Sequence, residues 1–184
     1  MVEVRQTGLP GVLELRPLRR GDDRGFFSEV WNEAEWVAAG VNQRFVQDNH
    51  SRSAKGVLRG LHYQLAPFAQ AKLVRVSRGA IFDVAVDVRP DSETFGQWCG
   101  ALLSAADWNQ LFIPSGFAHG FLALEDSSEV QYKVDVPYSA EHDRAIDPFD
   151  PAIGVEWPIE REKAILSAKD LAAPLLRDAQ VAGA

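Results

Sequence analysis

The 184-residue sequence predicts an all-β (mainly β) fold, a sandwich or a barrel with a few short peripheral helices, organised as one domain over residues 1–184. Two observations carry this. Apolar and polar residues alternate with period two in segment after segment, the pattern of strands whose side chains point to opposite faces. Turn-forming groups punctuate these segments at short intervals, at Lys55-Gly56, Arg78-Gly79, Pro90-Asp91-Ser92, Pro114-Ser115-Gly116 and Asp126-Ser127-Ser128. Many short strands at this spacing mark sandwiches and barrels, and propensity alone does not choose between them.

Taken in order, strands are predicted over residues 12–16, 25–31, 44–52, 57–64, 70–77, 80–88, 97–103, 110–113, 120–124 and 128–136. The clearest is 80–88, where Phe82, Val84, Val86 and Val88 share one face and Ile81, Asp83, Ala85 and Asp87 the other, a strand with one packed face. In 128–136, Val130, Tyr132, Val134 and Val136 lie opposite Gln131, Lys133 and Asp135. A helix is predicted after Asn32, an N-cap with Glu35 three residues on and Gly40 as its end. A second helix is predicted from near Lys169 into a C-terminal tail that begins at about residue 175, with Pro174 interrupting or delimiting it.

Composition excludes several classes. The 46% hydrophobic content is enough for a sizeable core. A net charge of −7 argues against nucleic acid and anionic membrane as partners. The single cysteine, Cys99, rules out an internal disulfide and suits a reducing cytoplasm, and Trp98 beside it favours inert packing. The N-terminus lacks the basic and apolar blocks of a signal peptide, and no apolar run approaches the roughly 20 residues that span a bilayer.

The candidate chemistry sits on the strands. His62 falls on the face of Leu58, as a hydrogen-bonded structural histidine or as a general base, since imidazole titrates near neutral pH. Tyr132 lies on an apolar face, where its hydroxyl satisfies a partner or delivers a proton. Lys72 points among aliphatics, which costs free energy unless it reaches the rim or faces an anion. Gln47 and Asn49 share a face, to read a polar ligand or to satisfy a sheet edge. Arg24 and Arg59 are phosphate clamps or surface charges. Arg59 and His62 are three apart, so a regular strand sends them to opposite faces, and a bulge at Gly60 would bring both to one cavity. His119 is a contact at a loop edge or a structural histidine.

No metal site is expected. The four histidines, His50, His62, His119 and His142, form no His-x-His pair and no close His/Glu cluster. The chain has no Gly-x-Gly-x-x-Gly and no P-loop, so no nicotinamide cofactor or nucleoside triphosphate hydrolysis is signalled, and the expectation is no cofactor.

Several segments together resemble the dTDP-4-dehydrorhamnose 3,5-epimerases: Asp23-Arg-Gly-Phe-Phe-Ser-Glu29, Gln47-Asp-Asn-His-Ser51, Val57-Leu-Arg-Gly-Leu-His-Tyr-Gln64, Ala71-Lys-Leu-Val-Arg75, Thr94-Phe-Gly-Gln-Trp98, Ile113-Pro-Ser-Gly-Phe-Ala-His-Gly-Phe121, Tyr132-Lys133 and Leu166-Ser-Ala-Lys-Asp170. The ordered set runs from about residue 5 to about residue 178. The resemblance implies a cupin-type jelly-roll barrel and a homodimer in which N-terminal segments cross to the partner. It implies a dTDP-sugar substrate, dTDP-4-dehydro-6-deoxy-D-glucose, converted without a cofactor to dTDP-4-dehydro-6-deoxy-L-mannose. By resemblance His62 is the base, Asp170 its orienting partner, Tyr132 the acid on the opposite face, and Lys72 the cation at the ketone oxygen. Arg24, Glu29, Gln47, Asn49, Arg59, His119 and Lys169 match substrate- and nucleotide-contacting positions, while Tyr138 and the Phe26-Phe27 pair match aromatics near the pocket. One stretch departs from the pattern. Where relatives carry a Glu-Gly pair and a Trp-containing segment after Tyr138-Ser139, this chain reads Glu141-His-Asp-Arg-Ala-Ile-Asp-Pro-Phe149, and Asp143 takes the place of a ligand-contacting glutamate. The alternatives to the double epimerase are a single-position (C3 or C5) epimerase, a non-catalytic sugar-nucleotide-binding cupin and a metal-dependent cupin.

Overall fold

The structure, a computed structural model, describes residues 2–181. Met1 and the last three residues of the predicted tail lie outside the described residues. In chain order the elements are β1 (Glu3–Gln6), β2 (Leu13–Arg16), β3 (Arg19–Asp22), β4 (Gly25–Ser28), α1 (Glu33–Ala38), β5 (Gln47–Ser53), β6 (Leu58–Gln64), β7 (Lys72–Arg78), β8 (Ala80–Asp87), β9 (Trp98–Ser104), β10 (Gln110–Ile113), β11 (Phe117–Ala123), β12 (Ser128–Val134), β13 (Asp143–Ala145) and α2 (Ala168–Leu171).

The strands form two large antiparallel sheets. The first runs β1-β2-β10-β7-β12-β5, the second β13-β6-β11-β8-β9. Within them, the eight strands from β5 to β12 divide as β5-β12-β7-β10 and β6-β11-β8-β9, the strand order of a jelly roll. Only the β8–β9 connection stays within one sheet; the other links among these eight cross from sheet to sheet. The jelly roll implied by the family resemblance is therefore the fold.

Three apolar clusters explain why the strands are so apolar. Val74, Val76, Ile81, Ala85, Leu111, Phe117 and Val130 fill the space between the sheets. Leu58, Leu61, Val84, Val86, Ala118 and Leu122 face outward from the second sheet and are covered by Ile146, Ile153, Trp157 and Leu176. Leu13, Leu15, Leu73 and Phe112 face outward from the first and are covered by Trp36 and Val41. β8 is thus buried on both faces, which corrects the prediction of one packed face. The C-terminal segment is the second cover, and each side chain it buries contributes about 1.5–3 kcal/mol.

Other element boundaries also differ from prediction. β1 and β3 were not predicted: every residue in them is exposed and little apolar alternation marks them. β4 stops at Ser28 rather than continuing to 31, and β11 begins at Phe117 rather than 120. Asn32 does cap α1, its side chain accepting from the Glu35 amide. The predicted C-terminal helix is a single turn, α2. Beyond it the backbone is tied to the second cover, with the Asp147 amide donating to the Pro174 carbonyl at 2.8 Å and the Leu176 amide to Asp150 Oδ2 at 2.6 Å. The Asp147 amide and the Asp150 carboxylate take the backbone groups a longer helix would need. Among the described residues no helix is long and apolar enough to cross a membrane.

Candidate active site

A cavity of about 700 Å³ opens between the two sheets. β5, β7 and β12 supply one wall, β6, β11 and β13 the other, and the segment carrying α2 closes one side.

The wall formed by β6 depends on Gly60. Across β6 and β11, His62 lies opposite His119 and Arg59 opposite Phe121, so three steps on β6 face two on β11. The extra residue is the bulge, and it turns both Arg59 and His62 to the cavity. Gly60 has φ +123°, and a Cβ there would lie 2.5 Å from Gly120 Cα and 2.7 Å from the His119 carbonyl oxygen. No side chain fits that approach.

His62 Nε2 meets Asp170 Oδ1 at 2.5 Å. Asp170 is 3% exposed, and its Oδ2 accepts from the Ser167 hydroxyl at 2.7 Å. Burial pushes this carboxyl up, but the hydrogen bonds from His62 and Ser167 outweigh it and hold the carboxyl below its ordinary range. A carboxylate at Nε2 selects the Nε2–H tautomer and leaves the Nδ1 lone pair free; among the described residues Nδ1 has no partner.

From the facing sheet, Tyr132 packs half-buried against the inter-sheet core, with no hydrogen-bond partner for its hydroxyl among the described residues. Burial raises its pKa, opposed by the Arg59 charge, so the phenol keeps its proton at neutral pH. Lys72 opens β7 and is 7% exposed. Burial lowers its pKa to about 8 against the pull of Asp135, Asp143 and Asp83. Its Nζ makes no hydrogen bond or ion pair among the described residues, which is an unusual position for a buried ammonium.

The remaining polar residues frame these three. His119 is held by Asp83, Nε2 to Oδ1 at 2.7 Å, and Asp83 is fully buried with no partner for Oδ2 among the described residues. Gln47 donates to Asn49 Oδ1 at 2.9 Å and accepts from the Tyr138 amide at 3.2 Å. Gln47 thus partly serves the Tyr138 backbone, as a structural reading of the pair would have it, while Asn49 keeps its amide NH2 for the cavity. Arg59 donates to Ser53 at 3.1 Å. At the mouth, the Tyr138 hydroxyl donates to Asp143 Oδ2 at 3.1 Å, and Lys169 forms an ion pair with the same oxygen.

Every residue proposed from the sequence lines this cavity except Arg24, Glu29 and the Phe26-Phe27 pair. All of these belong to the β3–β4 region, a separate two-stranded sheet. Arg24 is bound to Asp22 at the hairpin tip, and Glu29 lies beside a second hollow with Phe27 and Trp36. Phe26 and Phe27 are 56% and 70% exposed rather than near the cavity. Among the described residues nothing brings this hairpin to the chain's own cavity.

Sequence reading left out Asp83 and Ser167. Asp83 was signalled by a carboxylate between Ile81 and Ala85, a position that demands a partner. Ser167 was signalled by Ser167-Ala-Lys-Asp170, the Ser-x-x-acid spacing of a capping box. Among the described residues no group of three His, Cys, Asp or Glu side chains is arranged to hold a metal ion.

Comparison with known proteins places this architecture. A sequence model described as dTDP-4-dehydrorhamnose 3,5-epimerase matches residues 6–178. The dTDP-4-dehydrorhamnose 3,5-epimerase of Shigella flexneri is 51% identical over 171 residues, covering 92% of this chain and 93% of the relative. The crystal structure of the dTDP-6-deoxy-D-glucose-3,5-epimerase RmlC from Legionella pneumophila, in complex with dTDP-4-keto-L-rhamnose, superposes with TM-score 0.92 at 44% identity, covering 97% of this chain and 94% of that one. ChmJ, a 3'-monoepimerase from Streptomyces bikiniensis in complex with dTDP-quinovose, superposes with TM-score 0.85 at 32% identity over 92% of this chain and 86% of its own. With the jelly roll, the cavity and these likenesses in agreement, the chain belongs to the dTDP-4-dehydrorhamnose 3,5-epimerase family.

Proposed function

We propose that the cavity inverts C3 and C5 of dTDP-4-dehydro-6-deoxy-D-glucose to give dTDP-4-dehydro-6-deoxy-L-mannose. The observation that carries this reading is that three groups with no partner among the described residues meet in one cavity from two sheets: an imidazole nitrogen on His62, the Tyr132 phenol and the Lys72 ammonium.

The chemistry follows from their types. A C–H next to the C4 ketone is weakly acidic because its electron pair moves to the ketone oxygen as an enolate. His62 Nδ1 takes the proton, and Asp170 stabilises the resulting imidazolium. Lys72 holds the enolate oxygen, the kind of fixed charge that is often the largest contribution in a site. Tyr132 gives its proton to the carbon from the opposite face, which inverts the centre. The imidazolium then loses a proton and the tyrosinate gains one through solvent. Asn49, Arg59, His119 and Lys169 bind the sugar and diphosphate, Lys169 leaving Asp143 for phosphate. Tyr138 and Asp143 frame the nucleotide. The active form is a homodimer in the cytoplasm, and the exposed β3–β4 hairpin carries Arg24 and Glu29 to the partner's nucleotide. The free, buried Cys99 suits that compartment.

Incubation with the 4-keto sugar nucleotide in deuterated water, followed by proton NMR, tests the reading. Deuterium is expected at both C3 and C5, with His62→Ala slowing exchange about 10²–10⁴-fold while nucleotide binding persists. Deuterium at one carbon alone would make the protein a single-position epimerase, the activity named for ChmJ. No exchange at either carbon would leave only a sugar-nucleotide-binding protein.

A further inference from the structure

We infer that Ser167 is a positioning residue for the catalytic base: its hydroxyl fixes the Asp170 carboxylate so that Oδ1 points to His62, and proton abstraction depends on that hydroxyl. This rests on the epimerase reading of the same cavity, but it concerns a contact that can be observed with no substrate present.

The geometry is a directed chain of hydrogen bonds. The Asp170 amide donates to Ser167 Oγ at 3.1 Å, which occupies one lone pair of the hydroxyl. The hydroxyl proton then goes to Asp170 Oδ2 at 2.7 Å, and Asp170 Oδ1 receives His62 Nε2 at 2.5 Å. Among the described residues Oδ2 has no other partner. Asp170 sits on a helix of four residues, far too short to be rigid by itself. The carboxylate therefore has two anchors, and one of them is the imidazole it is meant to orient. Without Ser167, Oδ2 would be left buried with no donor, and the carboxyl would be free to rotate or to share both oxygens with the ring. The same hydroxyl caps α2, so a purely structural role must be separated from a positioning one.

The test uses the full chain labelled with ¹⁵N-histidine, as wild type, Ser167→Ala and Ser167→Thr, with His62→Asn to assign the ring signals. The wild-type His62 ring is expected in the Nε2–H form. Ser167→Ala is expected to shift the ring nitrogens toward a mixture of tautomers, and Ser167→Thr to restore them. In the exchange assay, kcat for Ser167→Ala should fall about tenfold to a hundredfold, the worth of one hydrogen bond to a charged group. KM should stay within about twofold, as for a group that acts only on the chemical step, and Thr should recover most of the loss. Unchanged ring signals in Ser167→Ala would overturn the inference, as would a loss of activity that Thr does not rescue or a KM rising in step with the fall in kcat/KM. If the wild type itself shows no exchange, the epimerase reading fails, and the ring signals alone decide the role of Ser167.

Discussion

At the scale of single residues, Lys72 shows how function and stability oppose each other. A lysine among aliphatics is visible in the sequence as an anomaly, but only the folded chain shows that its Nζ has no partner among the described residues. Burial lowers its pKa to about 8, against about 10.4 for an unfolded lysine. Between these values the unfolded chain holds a proton that the folded chain lacks, so stability rises with pH across that window. Below about pH 8 the folded protein carries the full cost of a buried ammonium. Lys72→Met is expected to raise Tm at pH 7 by about 2–4 °C for each kcal/mol relieved, and the advantage should shrink as pH climbs from 8 toward 10.5. The same substitution should lower kcat by about 10²–10³-fold. Calorimetry across this pH range checks the first outcome and the deuterium exchange assay the second. Asp83 was harder to place. An acid on an apolar strand face needs a partner, but sequence spacing does not say that the partner is His119, 36 residues away.

At the scale of elements, the apolar strands were legible because period-two alternation survives wherever a face is packed. The polar β1 and β3 and the three-residue β13 were not, because nothing in their side chains distinguishes them from loop. The length of the last helix was misread for a related reason: the Lys169 region has a good cap, but its continuation is held by Asp147 and Asp150, distant in sequence. The bulge at Gly60 was inferable from the three-residue spacing of Arg59 and His62, and it is where β6 is most vulnerable. Gly60→Ala combines a strained φ with a Cβ 2.5 Å from Gly120 Cα. A loss of about 2–4 kcal/mol is expected. Gly25 has nearly the same φ, +129°, but nothing within 4 Å of a Cβ. Gly25→Ala should therefore cost only about 1 kcal/mol, the conformational part alone. Urea unfolding of the two variants separates strain from collision; equal losses would mean that the β6–β11 approach is softer than the geometry implies.

At the scale of the whole molecule, the chain leaves an apolar hairpin outside its own core. Leu18, Phe26 and Phe27 are each more than half exposed, and the hairpin is tied to the body at its stem, where Trp108 Nε1 donates to Ser28 Oγ at 2.9 Å. The family resemblance pointed to Arg24 and Glu29 as ligand contacts, and the chain's own cavity does not include them. The proposed twofold dimer would reconcile the two, because the same hairpin would then reach the partner's cavity and the contact would be made twice. Subunit mixing tests this directly. Arg24→Ala chains lack the hairpin contact but keep His62; His62→Ala chains lack the base but keep Arg24. If hairpins act across the dimer, a mixed dimer has one complete site, in the Arg24→Ala chain. Random mixing gives half mixed dimers, each with one good site of two, so about a quarter of wild-type activity should appear at low substrate concentration, where each parent alone is nearly inactive. If instead each hairpin serves its own chain, no mixed dimer contains a complete site, and mixing should recover nothing beyond the average of the parents.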